Sequence, residues 1–196
     1  MSVWFTSDTH YGHVNICRGV SNWTSGFRDF DTLEEMNDKL VDNINLHVRE
    51  NDTLYHIGDW SMGGFANARI FRDRIHCKNI HLVLGNHDHE IKKNRDNIQE
   101  VFSSVQQIKF GKIAGQIMVL CHFPMLIWDG HHNGAWHLHG HSHNNLSAPE
   151  YYIRKVKDVG VDAHPEFRPF HIDELQSIMQ DRRIVALDHH NDIADY

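Results

Sequence analysis

The chain of 196 residues has only three cysteines, Cys17, Cys77 and Cys121. They are far apart, odd in number and outside any C-x-x-C pair. That argues against a disulfide framework and a thiolate zinc site, and fits a reducing compartment. No stretch approaches the roughly 20 apolar residues of a membrane span. The first residues carry Asp8 and no basic segment followed by a long apolar core, so no signal peptide is read and a cytoplasmic location is expected. Positive charge is short as well: 19 Lys and Arg face 26 Asp and Glu, a net −7 with neutral histidines. Nothing in that balance favours nucleic-acid polymers or an anionic membrane as partners. Repeats, low-complexity segments and dividing linkers are also lacking, so one domain is expected over residues 1–187, with a tail at 188–196. At this length a chain buries roughly 70% of its extended surface, enough for one core.

What the chain has in excess is histidine, 19 of them without a tag-like run, and histidine is the commonest metal ligand. Several stand at the ends of apolar runs. Ile80-His81-Leu82-Val83-Leu84 runs into Gly85-Asn86-His87-Asp88, as a buried strand delivers a polar tetrad to the edge of a sheet where ligands collect. Three other runs repeat the arrangement: Val3 to Ser7 leads into Asp8-Thr9-His10, Thr53 to Ile57 into Gly58-Asp59, and Ile117 to Cys121 into His122. Further on lies Gly140-His141-Ser142-His143, where alternation along an extended segment would put both imidazoles on one side. Singly, Asp-Thr-His, Gly-Asp and His-Phe-Pro are ordinary turn vocabulary.

Between these motifs the pattern predicts helices and strands in alternation. Asp31 followed by Glu34 suggests a capping box ahead of Leu33, Met36, Leu40, Ile44 and Val48, one face of an amphipathic helix. A second helix is expected over 66–74, after Gly63-Gly64, and a surface helix or loop over 89–100. Residues 101–110 and 116–121 read as two strands joined by a turn at 111–115, residues 156–161 as a strand, and 172–179 as a helix capped by Asp173. The stretches 17–30, 124–135 and 144–150 read as loops.

Taken together and in order, the five motifs resemble those of the calcineurin-like metallophosphoesterase superfamily, from Asp8 through His143. The resemblance implies an α/β fold, a four-layer αββα sandwich of two mixed sheets flanked by helices. It also implies a centre of two divalent ions (Mn, Fe, Ni, Co or Zn). Asp8, His10 and His143 would hold one ion, Asn86, His122 and His141 the other, and Asp59 would bridge them. The resemblance further implies phosphoester hydrolysis by in-line attack of a metal-bridging hydroxide, in which His87 would protonate the leaving oxygen and Asp88 would orient that imidazole. His13 and His139 are candidates to touch substrate, while His131, His132 and His137 read as loop residues. Arg72 and Arg74 fit either phosphate binding or a solvated helix face.

Departures narrow the branch. Trp60-Ser61-Met62-Gly63 follows Asp59, without the Asp-Arg pair that the protein serine/threonine phosphatases carry there, and the chain is short for the accessory domains of the nucleolytic members. It looks most like the small single-domain bacterial and phage phosphoesterases, which implies a small phosphodiester substrate, nucleotide-derived among the options. Phosphomonoester or dinucleotide polyphosphate hydrolysis is the enzymatic alternative. A noncatalytic scaffold on the same fold would dispense with ligands that this chain keeps. An HD-type phosphohydrolase, suggested by His87-Asp88, would leave Asp8, His10 and Asn86 unused.

Overall fold

Alternation along the first strand divides the molecule into layers. In β1 (Val3–Thr6) Trp4 faces one apolar cluster and Phe5 the other, as successive side chains of a strand must. The structure, a computed structural model, describes residues 1–21 and 26–188, the side chains of 95–97 excepted. The expected tail beyond Asp188 and part of the loop at 17–30 therefore lie outside the described residues.

Strands are numbered in chain order. β2 (Thr53–His56), β3 (Asn79–Val83) and β4 (Ser104–Gln106) extend β1 as parallel neighbours, and β9 (Phe170–His171) pairs antiparallel on its other side, giving the order β4-β3-β2-β1-β9. The second sheet has the order β5-β6-β7-β8. Here β5 (Ile108–Ile113) and β6 (Gln116–Cys121) form a hairpin, and β7 (Trp136–His139) and β8 (Val156–Asp158) follow in parallel. Phe5, Ile57 and Val83 of the first sheet meet Met118, Leu120 and Leu138 of the second in a buried cluster. Burying each such side chain contributes about 1.5–3 kcal/mol.

Helices flank the sandwich. α1 (Leu33–His47) and α2 (Gly64–Arg74) place Val41, Ile44, Ala68 and Phe71 against Leu54, Ile80 and Leu82 on the outer face of the first sheet. α3 (His89–Lys93) adds Ile91 there, and a 3₁₀ segment, Arg95–Glu100, follows it. α4 (Ile172–Gln180) sends Leu175 and Met179 into the cluster between the sheets. The outer face of the second sheet, with Val119 and Val156, is covered by Trp128, Ala135 and Tyr151 from the loops before β7 and β8.

Local expectations shift in five places. The α1 cap is Thr32, which accepts from the Glu35 N–H, while the Glu35 carboxylate accepts from the Asp31 N–H. The cap is thus one residue later than expected, and Glu35 reaches back to the residue before it and not to the cap's own N–H, so the box is not a reciprocal one. α4 is capped by His171 with Glu174 and not by Asp173. Residues 101–110 do not form one strand: 104–106 join the first sheet and 108–113 the second, so the chain changes sheets at Gln107. The hairpin turn is only Ala114-Gly115, with φ of 48° and 88°, the paired left-handed conformation that matches strand twist. Finally β8 ends at Asp158, and residues 161–163 form a 3₁₀ turn. Among the described residues no helix is long and apolar enough to cross a membrane.

Register decides where the polar residues go. Thr6 pairs with His56 and His56 with Leu82, so the segments leaving β1, β2 and β3 emerge side by side. Ser7 also bridges Gly160 beyond β8, which draws the ends of the second sheet to the same edge.

Candidate metal centre

At that shared edge the chain turns sharply five times on a functional candidate. Asp8, His10, Asp59, His141 and His143 all have positive φ, between 46° and 67°, a left-handed conformation costly for residues with a Cβ. The backbone holds them there: Asp8 N–H donates to the Gly58 carbonyl at 2.9 Å and His10 N–H to the Asp59 carbonyl at 3.0 Å. The positive φ values at His141 and His143 also mean that Gly140 to His143 is not extended. The two imidazoles diverge, one toward each side of the centre.

Asp59 stands in the middle. Its Oδ2 is 3.4 Å from His10 Nε2 and 3.3 Å from His122 Nε2, while its Oδ1 accepts from the His87 N–H at 2.8 Å. On the His10 side, Asp8 Oδ1 lies 3.9 Å from His10 Nε2 and 3.8 Å from His143 Nε2. On the His122 side, Asn86 Oδ1 lies 3.0 Å from both His122 Nε2 and His141 Nδ1. Ligand atoms of Asp8, His10 and His143 fall within 4.8 Å of one another, as do those of Asp8, Asp59 and His122. Two glycines make this approach possible. A Cβ on Gly85 would run into the Asp59 carboxylate, and one on Gly140 into Ser7 and the Asp8 carboxylate.

The ring nitrogens are arranged for a cation. His122 Nδ1 donates to the Ile57 carbonyl at 2.8 Å, so the lone pair of a neutral imidazole at Nε2 would face two acceptor oxygens, Asp59 Oδ2 and Asn86 Oδ1. That is repulsive unless positive charge sits between them. His10 is 2% exposed, and neither of its ring nitrogens has a hydrogen-bond partner among the described residues. A buried imidazole left unpaired beside two carboxylates fits a metal ligand. The donors are nitrogen and oxygen; the Cys17 and Cys77 thiols turn to backbone carbonyls elsewhere.

Protonation follows the same geometry. Burial works against a charged His122, but its hydrogen bond to Asp59 and the charges of Asp59 and Asp8 outweigh it and raise its pKa to about 9. Burial likewise pushes Asp59 up, yet the hydrogen bond and charge of His122, with His10, bring it well below the ordinary carboxylate range. Burial dominates at Asp8 and raises it to about 7. Without a cation, a proton on His122 holds the place between the oxygens, and ligand binding by a metal would release it.

The remaining candidates divide. His87 is half-buried with its ring 5.2 Å from that of His10, and His13 sits 5.2 Å from His10 and 5.9 Å from His87, so both face the cluster. Asp88 does not orient His87. Its carboxylate accepts from the backbone N–H groups of Asp59, Trp60 and Gly85, at 2.8, 2.9 and 2.8 Å, because the sharp turns after β2 and β3 leave those donors inward and unpaired. His139 is fully buried, with Nδ1 donating to the Gly140 carbonyl and its ring among His137, Tyr151 and Tyr152; it faces away from the centre. His137 is a strand residue and not a loop residue, donating to the Val119 carbonyl and accepting from the Met125 N–H. His131 is buried beside the Trp128 carbonyl and His132 stands next to Asn133, both remote from the cluster. Arg72 donates to the Val101 carbonyl and Arg74 pairs with Asp38, so neither reaches it.

Three residues escaped the sequence reading. Arg28 is 3% exposed; it grips Asp162 with two hydrogen bonds of 2.9 and 2.7 Å and donates to the Thr9 carbonyl. Asp162 in turn accepts from His143 Nδ1 at 2.7 Å, which fixes the ring with Nε2 toward Asp8. Asp158 accepts from the Ser142 hydroxyl and the Asn144 N–H, tying down the loop that carries His141 and His143. Asp162 could have been found, since Gly160-Val161-Asp162 follows a strand as Gly58-Asp59 does. Arg28 stands in an aperiodic stretch and gives no signal.

Fold and site together define a two-sheet α/β sandwich with an Asp/His/Asn cluster at the strand ends. No family model matches the chain. It is 26% identical to an uncharacterized protein of Methanocaldococcus jannaschii over 185 residues, covering 93% of this chain and 94% of that protein. A crystal structure of a protein of unknown function from Aquifex aeolicus shares the fold, with a TM-score of 0.68 and 22% identity over 90% of this chain and 98% of that one. An archaeal phosphodiesterase is similar more loosely, with a TM-score of 0.44 and 18% identity over 74% of this chain and 76% of its own.

Proposed function

We propose that the chain is a metal-dependent phosphoesterase with a two-ion centre, acting on small phosphodiesters. The observation that carries the reading is the Asp59 Oδ2 atom, 3.4 Å from one imidazole nitrogen and 3.3 Å from another, with further donors beyond each. Asp8, His10 and His143 would hold one ion and Asn86, His122 and His141 the other, with Asp59 shared. The nitrogen and oxygen donor set suits Mn, Fe, Co, Ni or Zn. When bound, two such ions supply Lewis acidity to the phosphoryl oxygens and lower the pKa of a shared water toward neutrality.

The chain's own groups do the rest. His87, beside His10 and open on one side, delivers a proton to the leaving oxygen, a role worth about 10²–10⁴ in rate. The His87 main chain is fixed by Asp59, so the acid and the centre keep one geometry. Burial lowers the pKa of His13, which stays neutral near pH 7 and offers a hydrogen bond to the substrate. Arg28 and Asp162 hold His143 in the tautomer whose free nitrogen faces Asp8.

The test is hydrolysis of bis(4-nitrophenyl) phosphate and 4-nitrophenyl phosphate by one preparation loaded in turn with Mn, Ni, Co and Zn. The expected result is faster diester than monoester turnover, reduced at least about 10²-fold in H87A. Diester turnover no higher than that of H87A with every metal would remove the proposal.

A further inference from the structure

Next to the Asp/His/Asn cluster, with His143 and Asp162 in its wall, the surface opens into a cavity of about 480 Å³. Its walls include Phe27, Phe30, Phe167, Asn144 and Asn145. That size and an aromatic lining with a few polar groups are what a small-molecule subsite requires. Phe27 is 40% exposed although large and apolar, and its ring meets the His143 imidazole edge-on at 5.1 Å. A group stacked on Phe27 would therefore hang directly next to a phosphoryl group at the centre.

Charge says what that group is. The guanidinium that the described residues bring to the wall, Arg28, is spent: Asp162 takes it with two hydrogen bonds, and it lies over the Phe27 and Phe167 rings at 5.9 and 5.1 Å. Asp29 adds a carboxylate at the cavity, engaged among the described residues by exposed Arg18. A second phosphate would find no unpaired cation among these residues, whereas an uncharged flat ring would find a phenyl face. Asn144 and Asn145 are exposed in the same wall, and their side-chain amides take no hydrogen bond from any described residue, which leaves donors and acceptors for the edge of a base.

Building on the phosphoesterase reading, we infer that this cavity is a nucleobase subsite and that the substrate is a nucleotide ester whose base stacks on Phe27. Stacking of a base on an aromatic side chain is sequence-tolerant, so the subsite recognises the class and not one base.

Two esters with the same leaving group test this: thymidine 5′-(4-nitrophenyl phosphate) and methyl 4-nitrophenyl phosphate. Wild type is expected to prefer the thymidine ester in kcat/KM, mainly through KM, by roughly 5- to 150-fold. F27A should collapse that ratio toward one and F27W restore it, whereas mere disturbance of His143 would lower both esters alike. In a second arm, saturation-transfer NMR on metal-free protein should show thymidine base protons in contact for wild type and F27W and not for F27A. Equal kcat/KM for the two esters, or an unchanged ratio in F27A, overturns the subsite and leaves the phosphoesterase reading standing. If neither ester turns over, the phosphoesterase reading fails; the nucleoside arm then decides the subsite, contact supporting it and no contact overturning it.

Discussion

Replacing Asp88 by Asn separates two accounts of that residue. As a partner of His87, Asp88 would matter for the rate and little for stability. The contacts say the reverse: its carboxylate is 1% exposed and closes the turns after β2 and β3 through three main-chain N–H groups. In D88N the amide oxygen can serve Asp59 and Gly85, but its NH₂ then faces the Trp60 N–H, donor against donor. One buried donor left unpaired costs about 1–3 kcal/mol, and the other two bonds lose their charge assistance, for a total of about 3 kcal/mol. For a chain of this size that is a fall in Tm of roughly 6–12 °C. Thermal unfolding by circular dichroism gives the shift, and activity per folded molecule well below the melt gives the rest. The account expects the fall in Tm together with weaker metal retention, because Asp59, Asn86 and His87 ride on these turns. A melt unchanged from wild type, with activity per folded molecule down about 10²-fold, would refute it.

Other perturbations probe the supports of the site. G85A adds a methyl group against the Asp59 carboxylate and 2.5 Å from its main-chain nitrogen, at a glycine whose φ is not positive; crowding alone should lower bound metal, read by plasma mass spectrometry, more than it lowers the Tm. R28M strips the buried Asp162 carboxylate of its two guanidinium hydrogen bonds and leaves it the His143 imidazole; it should cost about 3 kcal/mol in urea unfolding, with D162N/R28M milder than R28M alone. His137 gives a pH effect of known sign: burial, then the neighbouring His139, lower its pKa to about 3 from 6.5. Between those values the unfolded chain binds a proton that the folded chain refuses, so this contribution is fully present above about pH 6.5 and is lost as pH falls toward 3. H137Q, which can still donate and accept, should flatten the loss by about 1.4 kcal/mol per pH unit, measured from urea midpoints across that window.

Much of this was legible because strand ends declare themselves. Apolar runs closed by Gly-Asn-His-Asp, Gly-Asp or Asp-Thr-His put their polar residues at one edge of parallel strands, so Asp8, His10, Asp59 and Asn86 meet as strand register requires, and His122 joins them from the second sheet through the Ile57 carbonyl. Side-chain direction was less legible. His139 and His141 are two residues apart, yet one is buried and the other reaches Asn86, because β7 ends at His139 and His141 adopts a positive φ that no alternation rule anticipates. Asp88 misled for a related reason: its neighbour in sequence is an imidazole, but its neighbours in space are amide groups from a turn 29 residues away. The Arg28–Asp162 pair spans 134 residues and needs the two sheets in place before it exists. The split of residues 104–113 between two sheets is equally nonlocal, since both halves are strand-like and only their partners differ.

The central claim is that Asp59 is shared by two cations held on either side. Metal content after loading with Mn and desalting tests it most directly, with D59N beside wild type. The account predicts about two ions per wild-type chain and a loss of at least one in D59N, with the fold retained by circular dichroism. Wild type that keeps no metal, or D59N that keeps as much as wild type, would contradict it.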